Sequence, residues 1–120
     1  MVNATAPSST MKIPPVGLGT WKAKPNEVRE AVTAAIACGY THVDCAAAYA
    51  NEWEVGEALA ACASRRDELF VTSKLWNDRR RPKDVREALE TTLKDLQLEY
   101  VDLYLIHWPV CWRRGTVLQP

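Results

Sequence analysis

The sequence has no surplus of charge: 15 basic and 15 acidic residues balance among 120, for a formal net charge of zero. That balance gives no electrostatic reason to expect nucleic acid or an anionic membrane as a partner. No apolar run approaches the roughly 18 residues that a spanning helix needs. The first ten residues, MVNATAPSST, have neither a basic n-region nor an apolar h-region, so they do not read as a secretory signal. Cysteine is sparse. Cys38, Cys45, Cys62 and Cys111 form no CxxC pair and no metal-ligand spacing with His42 or His107. The expected state is therefore reduced, mostly buried thiols in a cytoplasmic protein, with no metal and no disulfide framework. Linkers and low-complexity tracts are also missing, and the length suits one domain.

What is present has a regular rhythm. Val28, Ala31, Val32, Ala35 and Ile36 fall on one face of a helix, with Pro25 near its start and Gly39 past its end. A second helix is expected from about Asn51 to Cys62, with Val55, Leu59 and Cys62 inward. A third opens near Pro82 and buries Val85, Ala88, Leu89, Thr92, Leu93 and Leu96. Between them, Ile13–Leu18, His42–Ala46, Leu69–Leu75 and Val101–Ile106 read as strands, the last continuous enough to be covered on both faces. The order β-α-β-α-β-α-β implies parallel strands with right-handed crossovers. Both a (β/α) barrel and an open doubly wound sheet fit it. Gly17-Leu18-Gly19 lacks the third glycine of a dinucleotide fingerprint and reads as a tight turn.

Polar residues interrupt the apolar strands near their ends. Asp44, Lys74 and His107 are separated by 30 and then 33 residues, about one βα unit each time. Carboxyl ends of parallel strands share one face, so the three groups converge there, and Tyr49, five residues after Asp44, can overhang them. Lys74 in an apolar strand needs a counter-ion, for which Asp44 is placed. An ammonium beside a phenol eases loss of its proton, and an imidazole at the same spot can orient a substrate oxygen. A purely structural Asp–Lys pair with a satisfied histidine is the alternative. Trp21, Trp76 and Trp108 each follow a strand on this face, as pocket wall or as packing against helices. Arg79-Arg80-Arg81-Pro82-Lys83, flanked by Asp78 and Asp84, reads as a solvated loop rather than a phosphate or nucleic-acid patch.

Gly39-Tyr40-Thr41-His42-Val43-Asp44-Cys45-Ala46, followed by Tyr49, Asn51-Glu52 and Glu54-Val55-Gly56, resembles the aldo-keto reductase signature. Val16–Lys22, Phe70–Asn77 and Asp102–Pro109 are similar to three further segments of that family, in its order and near its spacing. The aldehyde- and aldose-reductase-like branch is the closest in character. The resemblance implies a parallel (β/α)8 barrel of the TIM type, NADPH as cofactor, and reduction of small-molecule aldehydes or ketones to alcohols. It implies a catalytic tetrad of Tyr49 as general acid, Lys74 tuning it, Asp44 holding Lys74 and touching the nicotinamide ribose, and His107 orienting the carbonyl. Thr20, Trp21 and Lys22 would lie along the cofactor with Asp44, and Trp21, Tyr49, Trp76, His107 and Trp108 would contact substrate.

Four departures stand out. Ala50 occupies a position where the family usually has glycine, which strains the Tyr49 loop if positive φ is required there. Thr41 replaces the usual arginine, and the Ala63–Asp67 connection is short. A full barrel takes eight strands and about 250 residues. Only about the first four βα units are legible here, as an extension (1–11) and a partial, truncated barrel domain (12–120). The expectation is a chain that self-associates through exposed barrel edges or is weakly stable. Its function is then NADPH-dependent carbonyl reduction or, alternatively, that of an inactive fragment acting through other chains.

Overall fold

The computed structural model describes residues 12–113. The expected extension at 1–11 lies outside the described residues. Strands β1 (Leu18–Gly19), β2 (His42–Asp44), β3 (Phe70–Leu75) and β4 (Leu103–Ile106) form one parallel sheet in the order β1-β2-β3-β4. Helices α1 (Glu27–Ala37), α2 (Glu52–Ala61) and α3 (Pro82–Leu96) connect them in turn. Asp44 pairs in register with Gly19 and Thr72, and Lys74 with Leu105. This alternation sets two faces. Val43 and Val71 turn toward the helices and join Val28, Val32, Ile36, Val55, Leu59, Leu69 and Leu96 in the core. Asp44, Thr72 and Lys74 alternate with them and belong to the opposite face.

Local chemistry accounts for the helix limits. Pro82 is the first residue of α3, where its missing N–H costs nothing, and Gln97 ends the helix in the left-handed region. Gly39, at φ 95°, turns the chain from α1 into β2. Gly56 lets α2 lie against the end of α3, since a Cβ there would sit 2.1 Å from the Asp95 carbonyl oxygen. The short Ala63–Glu68 connection closes as 3-10 turns. Arg66 pins it by donating to the Leu69 and Tyr100 carbonyls at 2.7 and 2.9 Å and to Asp102 at 2.8 Å.

The structure corrects the sequence reading in several places. The first strand is only Leu18–Gly19, and Ile13 and Val16 are exposed. Pro14 and Pro15 supply no N–H to a ladder, which keeps the preceding segment out of the sheet. The fourth strand is not covered on both faces: Leu105 is 41% and Ile106 63% exposed. Among the described residues β4 pairs only with β3, so its other edge has no strand against it. Ala31 is exposed at the margin of the α1 stripe. All four cysteines are free, but Cys38 and Cys111 are exposed rather than buried. No helix among the described residues is long and apolar enough to cross a membrane.

Candidate active site

Asp44 closes β2, Lys74 is the fifth residue of β3, and His107 follows β4 directly. Tyr49 ends a 3-10 turn, Ala47–Tyr49, that leaves β2 over the same edge. The Lys74 ammonium donates to both Asp44 carboxylate oxygens, at 2.7 and 2.8 Å, and to the Cys45 carbonyl at 2.8 Å. It also stands 3.3 Å from the Tyr49 hydroxyl. The imidazole of His107 meets the Tyr49 ring edge-on, centroids 5.6 Å apart. The four groups inferred from strand-end spacing thus form one connected cluster.

Burial tunes the group that faces Tyr49. His107 is held below the ordinary imidazole value, first by desolvation and then by the Lys74 charge, with Asp44 opposing them. A neutral imidazole has one N–H to donate and one nitrogen free to accept. Cys45, next to Asp44, is buried, and burial raises its thiol far above the usual range. It is an inert neighbour. Ala50 takes φ 56°, the left-handed conformation that glycine adopts freely. Alanine therefore sits at a strained position beside Tyr49, at a cost of about 1–2 kcal/mol.

The proposed cofactor segment lies beside the cluster. Thr20 is buried, and both its N–H and its hydroxyl donate to the Asp44 carbonyl at 3.1 Å. Asn51, unmarked as a site residue by its sequence context, donates to the Thr20 carbonyl at 2.8 Å and so ties β1 to the Tyr49 turn. Trp21 is half exposed, stacked 6.5 Å from Tyr49, with the Lys22 ammonium 4.5 Å over its ring. The Asp44 side chain is 38% exposed despite its pairing with Lys74. Its carboxylate keeps lone pairs free to accept a further hydrogen bond.

Trp76 and Trp108 both pack against His107. Trp76 touches His107, Trp108 and also Trp112, a residue the sequence reading did not single out. Arg79 pairs with Asp78 and Glu87, and Arg80 donates to Asn77, so these two arginines are engaged within the chain. Between α2, α3 and the Tyr49 turn lies a cleft of about 300 Å3 lined by Ala47, Ala50, Glu52, Trp53, Trp76, Thr92 and Asp95. It contains none of the four clustered residues. Among the described residues there is no group of three His, Cys, Asp or Glu that could hold a metal.

A parallel sheet presenting aspartate, lysine, tyrosine and histidine at its carboxyl edge corresponds to the amino-terminal portion of a (β/α)8 barrel, and comparison with known proteins gives its family. The chain belongs to the aldo/keto reductase family, whose sequence model matches residues 15–114. It is 56% identical over 118 residues to aldo-keto reductase family 1 member A1-A of Danio rerio, covering 94% of this chain and 36% of that protein. To the Homo sapiens member A1 it is 57% identical over 109 residues, covering 87% and 34%. Among solved structures, the aldose reductase from Schistosoma japonicum superposes with a TM-score of 0.84 at 52% identity, covering 88% of this chain and 36% of that one. The Bombyx mori aldo-keto reductase in complex with NADP gives 0.80 at 46%, covering 85% and 36%. The chain spans about a third of the length of the relatives it matches.

Proposed function

We propose that residues 12–120 carry the proton-transfer side of an NADPH-dependent carbonyl reductase that converts aldehydes or ketones to alcohols. One observation carries the reading: the unbroken Asp44–Lys74–Tyr49 chain, with contacts of 2.7 and 3.3 Å, beside the His107 ring packed edge-on against Tyr49. Tyr49 gives its phenolic proton to the carbonyl oxygen as that oxygen becomes negative. Lys74 stabilises the phenolate left behind, and Asp44 fixes the ammonium from its other side. His107 donates a hydrogen bond to the same oxygen and orients it. A nicotinamide nucleotide would be held along Thr20, Trp21, Lys22 and Asp44 and would supply the hydride to the carbonyl carbon. Trp21, Trp76 and Trp108 form an apolar wall for the substrate. A cytoplasmic setting keeps the four free cysteines reduced.

A second reading is favoured by the apolar outer edge of β4. In it the chain turns over no substrate by itself and works by pairing with other chains. Titration of NADPH against tryptophan emission separates the two, because Trp21 stands beside the nucleotide segment. Saturable quenching that is lost in Asp44→Ala supports the first reading. A well-folded chain with no quenching favours the second.

A further inference from the structure

We propose that Asn77 is a positioning residue, which fixes His107 and the tryptophans around it by holding the chain after β4 against the chain after β3. The inference deepens the reading of His107 given above and rests on it. The segment after Ile106 has no regular secondary structure among the described residues, so its N–H groups must be taken up by the body of the protein. Three backbone anchors do this. His107 donates to the Leu75 carbonyl at 3.1 Å, Trp112 donates to the Asn77 carbonyl at 3.2 Å, and Trp108 donates to Asn77 Oδ1 at 3.2 Å. Two of the three fall on Asn77.

The side chain suits the task. Asn77 is fully buried, and Arg80 Nη2 donates to the same Oδ1 at 3.0 Å, which sets the direction of the amide. Its Nδ2 has no partner among the described residues. The residue therefore acts through its acceptor and not through its donor. The neighbour before it, Trp76, provides the packing surface: its ring meets His107 at 5.1 Å, Trp108 at 5.6 Å and Trp112 at 5.5 Å. The polar anchor and the aromatic platform are thus consecutive residues. The Oδ1 anchor lies one residue from the imidazole, which also faces Tyr49, Lys74 and Asp44. Release of that anchor frees the ring to turn away from Tyr49, the kind of small displacement that catalysis tolerates badly.

The chain has only two histidines, which makes a cofactor-free test possible. His42 lies on β2, bonded to Thr72 at 2.9 Å and packed on Phe70, and reports the fold away from the segment. Imidazole resonances are titrated by NMR in the wild-type chain, Asn77→Leu and Asn77→Asp, with hydrogen exchange at the Trp108 amide. In Asn77→Leu, His107 should titrate higher, toward an ordinary imidazole, and the Trp108 amide should lose protection while His42 is unchanged. Asn77→Asp keeps the acceptor and should retain protection of the Trp108 amide; its added negative charge raises His107 by itself, so the imidazole titration is read in Asn77→Leu alone. The proposal is overturned if Asn77→Leu leaves His107 and the Trp108 amide as in wild type, or if Asn77→Asp loses as much Trp108 protection as Asn77→Leu. Should Asn77→Leu unfold, seen as loss of the folded His42 signals too, Asn77→Asp decides alone, retention supporting the role and loss overturning it. None of these signals needs turnover. A chain that behaves as expected but reduces no carbonyl refutes the proposed function and leaves the positioning role standing.

Discussion

Glu52 is a carboxyl group buried between sheet and helices, accepting hydrogen bonds from Ser73 and from Thr92 at 3.1 Å. Desolvation outweighs both bonds and pushes its pKa from 4.5 up to about 7. Below pH 4.5 the group is protonated in folded and unfolded chain alike. As pH rises from there to about 7, the unfolded chain ionises first, so stability falls through that window and stays lower above it. The full loss corresponds to about 3 kcal/mol. His107 slopes the other way, since its lowered value means that stability falls as pH drops below 6.5. Glu52→Gln keeps an acceptor but cannot ionise. Urea unfolding at pH 5 and pH 8 should show wild-type stability falling toward pH 8 and the variant free of that fall. Equal pH slopes in the two proteins would refute this account of Glu52. Residues such as Asp44, Lys74 and His107 were legible in the sequence because each stands in or just past the end of an apolar strand. Glu52, Asn51, Asn77 and Trp112 were not, because their roles depend on which distant group each one meets. The strain at Ala50 was legible as a condition, and its φ of 56° meets that condition.

Among the elements, helices α1, α2 and α3 fall within a residue or two of the expected limits, because their apolar stripes and their Pro and Gly punctuation are local signals. Strand extents were less legible. Whether a residue joins a ladder depends on a neighbour's N–H and C=O, and at Pro14 and Pro15 half of that requirement is absent. Gly56 belongs to the same class of hidden constraint. Within α2 it reads as a weak helix former, yet it is where α2 meets the backbone of Asp95 and Leu96. Gly56→Ala gains about 1 kcal/mol of helix propensity. A Cβ 2.1 Å from a carbonyl oxygen forces the helices apart, at an overpacking cost of about 1–3 kcal/mol or more. The net outcome expected is a lower unfolding midpoint, and a midpoint that rises would show that the α2–α3 contact is loose.

For the molecule as a whole, the helix-facing side of the sheet holds a continuous core, while the outer edge of β4 and the start of the chain expose Leu105, Ile106, Trp108, Val110, Ile13 and Val16. An unpaired parallel edge flanked by apolar side chains is a template for association. Sedimentation velocity on the 120-residue chain should therefore show mass increasing with concentration, and Ile106→Lys should reduce that increase. A single monomeric species at all concentrations would contradict it. The most direct test of the central claim, that Tyr49 is the proton donor of a carbonyl-reducing site, is the loss of NADPH absorbance with a reactive aromatic aldehyde, comparing the chain with Tyr49→Phe. The account predicts turnover that drops by at least about 100-fold in the variant while NADPH binding persists. Equal rates in the two proteins would contradict it, as would a folded chain that neither binds NADPH nor reduces the aldehyde.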